Sequence, residues 1–268
     1  MPERIRFADQ PWHIYYQQEL KGRYSPILSV LAQELQKGTK KRQNDTRRFV
    51  WWDIENHSMA VTVAANIMAR VFNNKLGATV EETTAGALLH DITKPQEIIF
   101  DDLKDTTKKR VMIQSLVTEG YATQADIKRL NKNPQQALSI YETAVHRKAI
   151  SDLIRERRGT LTRFGDPEKI LTLSDSSGIP VIYLPKDNLG HYLHSLCQRV
   201  VFVADQLAQG TDFVELETRH QRARKRYNPL EIDKLYTYAY RCGDEIAHEI
   251  GLESHRDLPT WIESQITK

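Results

Sequence analysis

Cysteine is nearly absent: Cys197 and Cys242 are the two in 268 residues. Two thiols cannot form the disulfide framework of a small secreted domain, so a reducing compartment is the economical expectation. No stretch approaches the ~18 consecutive apolar residues that a membrane-spanning helix requires. The opening residues, Met1-Pro2-Glu3-Arg4-Ile5-Arg6, lead into no apolar run of the signal-peptide kind. Together these absences predict a soluble, cytoplasmic chain with no membrane partner. A strong charge of one sign is missing too. Lysine and arginine number 38 against 35 acidic residues, a formal charge of +3, which permits phosphate-bearing ligands without demanding nucleic acid. Sustained period-2 alternation is lacking, as is any repeat of roughly 20 to 50 residues.

What is present is helical. The length is ample for a sizeable core, and 40% hydrophobic with 27% charged residues is a globular balance. The predicted class is all-α. Ile27, Leu28, Leu31 and Leu35 follow helical spacing, and a basic loop, Lys40 to Arg48, comes next. A strong helix is expected from Ile54 to Phe72, with an apolar stripe through positions 57, 61, 64, 68 and 71 that puts His57 on the buried face. A second helix begins near Glu81. Residues 98 to 121 give no clear pattern. Thr123 is the expected N-cap of a short helix, with Asp126 at the matching acidic position. Long helices are expected over 135–158, ending in Gly159, and over 189–209. A short one starts at Asp166-Pro167, and another runs from about Pro229 to Ile250.

The stretch that carries chemistry is Ala87-Leu88-Leu89-His90-Asp91-Ile92-Thr93-Lys94-Pro95. An apolar helical run ends there in an imidazole and a carboxylate side by side, with a lysine three residues on. Asp205 lies inside another apolar helix, Val203-Ala204-Asp205-Gln206-Leu207, where an unpaired charge is expensive, so it needs a partner. His57, His90, Asp91 and Asp205 offer two imidazoles and two carboxylates, a set suited to one divalent transition metal. A bound ion of this kind suits phosphoester hydrolysis.

These residues resemble a known family. His57 in Glu55-Asn56-His57-Ser58, the His90-Asp91-Ile92-Thr93-Lys94 block and the Asp205 segment are similar to the His…His-Asp…Asp signature of the HD-domain superfamily of metal-dependent phosphohydrolases. The tail from Asp205 to Tyr227, with Glu217 and Arg219, also looks like the segment after that aspartate in bacterial members. The resemblance spans roughly residues 50 to 228. It implies an HD-domain-like helical bundle in one domain with N- and C-terminal extensions: 1–48 a helical extension and basic loop, 49–228 the metal-binding domain, 229–268 helices packed on it. It further implies one divalent cation (Mn, Mg, Ni, Co, Zn or Fe) on His57, His90, Asp91 and Asp205, and a nucleotide-like phosphate ester as substrate. Lys94 matches the lysine placed near the substrate phosphate. Thr93, where the family's common form has glycine, puts that lysine's role in question more than the metal's.

Other candidates are His146 and Arg147, as a proton donor or phosphate contact, and His194. Asp91, Lys94 and His146 form the expected catalytic set; Lys94, Arg147 and His194 are the expected phosphate contacts. If the helix before Asp205 is continuous, His194 precedes that aspartate by about 16 Å at ~1.5 Å per residue. His191 is further away still, so one metal rather than two is expected. Two alternatives stand beside the hydrolase: a nuclease of the same type on single-stranded nucleic acid, motivated by the basic stretches 40–48, 155–163 and 219–226, and a non-catalytic signalling or scaffold module.

Overall fold

The folding pattern starts with one very apolar segment. The computed structural model describes residues 10–39, 49–75, 77–176, 193, 195–210, 212–225 and 229–268. Within it, helix α3 (Phe49–Phe72) is the axis of the molecule. Every residue from Ser58 to Ala69 is buried, so this helix is enclosed on all sides. The expected stripe holds at Val61, Ala64 and Met68, but Val71 is 52% exposed. A helix enclosed all round surfaces only where its last turn leaves the core, and Val71 lies in that turn.

A rod of α1 (Pro11–Tyr15), one π-helical turn (Tyr16–Leu20) and α2 (Lys21–Thr39) precedes α3. Trp12, Tyr16, Tyr24, Ile27 and Leu31 from that rod enter the same core as α3. Then come α4 (Val80–Leu89), α5 (Lys94–Asp101), α6 (Thr106–Thr118), α7 (Gln124–Lys132), α8 (Ala137–Leu161) and α9 (Pro167–Ser174). Helices α10 (Leu196–Leu207) and α11 (Leu216–Arg224) flank a short antiparallel ribbon, β1 (Ala208–Gln209) with β2 (Asp212–Phe213), paired Ala208 to Phe213. Helices α12 (Pro229–Glu249) and α13 (Leu258–Ile266) close the chain, and their Ile232, Tyr236, Ile246 and Ile262 join the main core. The all-α expectation holds, and among the described residues no helix is long and apolar enough to cross a membrane.

Local signals account for several boundaries. Thr123 and Asp126 form the expected capping box at the start of α7, and Asp166 caps α9 ahead of Pro167. The unclear stretch 98–121 resolves into the end of α5 and all of α6, whose N-cap is Asp105. Helix α3 starts at Phe49, ahead of the expected Ile54, and two further boundaries differ from expectation. Helix α8 passes through Gly159 to Leu161, because Leu161 and Phe164 are buried anchors beyond it. The chain instead reverses at Gly165, whose φ of +138° suits glycine and whose Cβ position lies 2.3 Å from the Glu82 side chain. Helix α10 starts at Leu196, after a Ser195–Gln198 capping box, not near residue 189. His191, His194 and the basic loop 40–48 lie outside the described residues.

A second, smaller core is built from α6, α7, the end of α5 and the first half of α8. Phe100 and Tyr141 stack at its centre, ring centroids 4.0 Å apart. Helices α5 and α8 run from one core into the other, and the side chains at that junction border the site.

Candidate metal centre

Helix α4 carries the central pair and is fixed at both ends. At its start, Thr79 and Glu82 form a reciprocal capping box, and Glu82 also accepts the Asp166 amide at 2.8 Å, tying α4 to α9. At its middle, a Cβ at Gly86 would lie 2.5 Å from that of Leu173, so glycine permits the close α4–α9 approach. Asn66 of α3 donates to the Thr84 hydroxyl at 2.9 Å, linking α4 to the central helix. The last turn of α4 then delivers His90 and Asp91 beside His57 of α3 and Asp205 of α10.

The ligand-type atoms of His57, His90 and Asp91 all lie within 4.8 Å of one another, and this group could hold a metal ion. Asp205 closes on both imidazoles: its Oδ1 is 3.1 Å from His57 Nε2 and 3.7 Å from His90 Nε2. Asp91 Oδ2 is 3.5 Å from His90 Nε2 and 3.9 Å from His57 Nε2. Around an ion bonded at about 2.1 Å, neighbouring donors stand roughly 3–3.5 Å apart, so these spacings suit shared ligation.

Hydrogen bonding fixes how the rings are used. His90 Nδ1 is 2.8 Å from the Ala87 carbonyl, and His57 Nδ1 is 3.1 Å from the Gly210 carbonyl. A carbonyl only accepts, so each Nδ1 is the protonated donor. Both Nε2 atoms are left facing carboxylate oxygens. Backbone anchoring of the far ring nitrogen is how metal-binding histidines are commonly held. His90 is 4% exposed, and its Nε2 has no hydrogen-bond partner. Leaving such a buried group unmade costs about 1–3 kcal/mol. Gly210 reaches His57 because the β1–β2 turn bends there, at φ +61°.

Asp205 has the partner its apolar surroundings demanded. Arg219 of α11 approaches its Oδ1 at 3.3 Å, and the same guanidinium donates to the Asp205 and Ala208 carbonyls. Those carbonyls sit at the C-terminal end of α10, where helix acceptors lack intrahelical donors. Gln206 donates to Asp205 Oδ2 at 2.8 Å. Burial works to raise the Asp205 pKa, but Arg219, His57 and His90 together hold it well below the usual carboxylate range. Asp91 behaves alike: burial opposes ionisation, and His90, Lys94 and His57 outweigh it.

Beside the centre, at the junction of the two cores, the other candidates separate. Lys94, the first residue of α5, pairs with Glu97 at 3.2 Å. That carboxylate in particular, along with Asp91 and Glu142, overcomes burial to keep the ammonium protonated. His146 is buried, with Nδ1 3.4 Å from the Thr93 hydroxyl and Nε2 3.6 Å from Asp175 Oδ1. Arg147 is exposed; one step along α8, it points about 100° away from His146 and so away from this junction. Glu142, one turn before His146, escaped sequence reasoning. Burial and then the Glu97 charge push it up to about 8. Its helical spacing to His146 was the one signal that could have found it.

Several described residues of the basic stretches 155–163 and 219–226 are paired internally. Arg155 pairs with Asp152 at 2.7 Å, Arg157 donates to Gln33, and Arg224 pairs with Asp233 at 3.1 Å. No family model matches the chain, nor does any curated protein or any solved structure, so the geometry of these side chains carries the functional reading.

Proposed function

We propose that the protein is a metal-dependent phosphohydrolase, cleaving a phosphomonoester or phosphodiester bond of a nucleotide or related small molecule. His57, His90, Asp91 and Asp205 would hold one divalent ion. Such an ion supplies Lewis acidity toward a phosphoryl oxygen and toward the attacking water. One observation carries the reading: His90 Nε2 is buried, has no hydrogen-bond partner and faces two carboxylates. A proton placed there would have no acceptor at hydrogen-bonding distance, whereas a cation among the four side chains would satisfy all of them.

The chain's own residues do the rest. The Ala87 and Gly210 carbonyls orient the two rings, and Arg219 with Gln206 holds Asp205 against rotation. Asp91, with 20% of its side chain exposed, is more open than His57 or Asp205 and marks the side from which substrate approaches. Lys94 lies within electrostatic reach of Asp91 and would offset charge gathering on the phosphate. The resemblance to HD-domain phosphohydrolases supports the same reading from the sequence.

The test is metal analysis of the purified chain together with a screen of generic phosphoesters and nucleotides. Asp91→Ala should lose both metal and hydrolysis. A folded Asp91→Ala protein that keeps both would overturn the assignment.

A further inference from the structure

The junction beside the metal centre has unmet hydrogen-bonding capacity of its own. Glu142 and His146 stand one turn apart on α8, 5% and 7% exposed. Glu142 Oε2 and His146 Nε2 are both buried without a hydrogen-bond partner. Thr93, two residues after Asp91, donates its hydroxyl to Glu97 Oε1 at 2.7 Å. Its oxygen is then the acceptor toward His146 Nδ1 at 3.4 Å, which makes that nitrogen the donor and leaves Nε2 facing Asp175 Oδ1 at 3.6 Å without a hydrogen bond. Two buried polar atoms therefore sit in one wall without a hydrogen-bond partner: an imidazole nitrogen that accepts, and a carboxyl group that, pushed up to about 8, can donate as well as accept near neutral pH.

The surroundings narrow what fits. Glu97, Asp101 and Asp91 all act on Glu142, with Lys94 as the opposing cation. An excess of carboxylates repels a phosphate. The ammonium of Lys94 in the same place disfavours a second organic cation. A second metal ion is not indicated either: among the described residues, the convergent ligand group is His57, His90 and Asp91. What remains is a neutral group that both donates and accepts hydrogen bonds, as a hydroxyl does.

We infer that Glu142 and His146, with Thr93 orienting the imidazole, form a subsite for the hydroxyl-bearing sugar portion of the substrate, next to the metal centre that takes its phosphate. The inference rests on the hydrolase reading for the word substrate, but not for the binding itself.

The experiment compares a ribonucleoside monophosphate with p-nitrophenyl phosphate, whose leaving group has no aliphatic hydroxyls, using the full metal-loaded chain. Glu142→Gln and His146→Ala should each lower the ratio of kcat/KM for the nucleotide over that for p-nitrophenyl phosphate by about tenfold, the size of one well-made hydrogen bond to a charged or strongly polar group. An unchanged ratio in both folded variants overturns the inference, even if both rates fall. If the wild-type chain hydrolyses neither compound, the hydrolase reading has failed, and calorimetric titration decides the subsite by itself. There, adenosine should bind about tenfold more tightly than 2′,3′-dideoxyadenosine, and Glu142→Gln should erase the difference. Equal affinities, or no binding of either nucleoside, sink it.

Discussion

Among the described residues, two clusters of histidines and carboxylates are built in opposite ways. In the C-terminal one, His255 has Asp244 at 2.7 Å from Nδ1 and Glu217 at 3.2 Å from Nε2. His220 likewise has the Tyr240 hydroxyl at 2.7 Å and Asp233 at 2.8 Å. Both rings are also stacked, His220 on Tyr236 and His255 on Tyr240. Every ring nitrogen there has an oxygen partner, so the network is closed. At the candidate metal centre, the far nitrogens of His57 and His90 go to backbone carbonyls and the near ones converge on carboxylates. The same residue types therefore hold helices together in one place and form a convergent set that could hold a cation in the other. The difference lies at His90 Nε2, which is buried among carboxylates without a hydrogen-bond partner.

The largest effect expected to test that contrast is on metal dependence. His90→Ala should cut hydrolysis by about 1,000-fold or more, on the order of 4 kcal/mol of activation energy. It should also abolish any rise in melting temperature on adding a divalent ion, a rise worth about 2.7 kcal/mol at a hundred times Kd. Hydrolysis rates and thermal melts with and without chelator would show it. If His90→Ala retains the metal-induced shift, the two clusters are not different in kind.

Arg219 comes next, because it stands between the clusters. Arg219→Ala strands the buried Asp205 carboxylate and should cost about 3 kcal/mol of stability by urea denaturation. It should also weaken the metal by roughly 10–100-fold, as loss of a supporting partner does. Unaltered metal affinity would mean that Asp205 needs no orienting.

Glu142 sharpens the contrast in pH. Its folded pKa, about 8, is raised above the ordinary 4.5, so its contribution to stability is complete below about pH 4.5 and is lost as pH rises through about 8. In chelator-treated protein, the unfolding free energy of the wild type should fall across that window by roughly 2–4 kcal/mol more than that of Glu142→Gln, given about 1.4 kcal/mol per unit and some water entry. Parallel curves would show that Glu142 ionises freely.

The smallest change belongs to the closed network. His255→Gln keeps shape but loses one of two carboxylate partners, and should cost about 1–2 kcal/mol while leaving metal affinity as it was. A loss of metal affinity in that variant would erase the distinction between the two clusters.

Much of the helical layout is legible locally. Thr123 with Asp126, and Asp166 before Pro167, act through groups within one helical turn, which is why their caps can be predicted. Val71 and Gly159 depart from the local pattern for a shared reason. The periodicity of α3 does not reveal a helix enclosed on all sides, and a glycine does not end a helix whose next anchors, Leu161 and Phe164, are buried. At the site, His57, His90, Asp91 and Asp205 stand out as polar residues in apolar helices. Glu142 does not, because its isolation from partners depends on how α5 meets α8.

By itself, the amino-acid order determined an all-helical chain, the short-range caps, and four polar side chains placed where apolar helices would bury them. Tertiary structure alone decided what those side chains face. His57 depends on a carbonyl 153 residues away, and Asp205 on a guanidinium carried by the next helix. Contacts of that range follow from how helices pack, and packing is set by the shape of the entire core rather than by any stretch that a local pattern can describe.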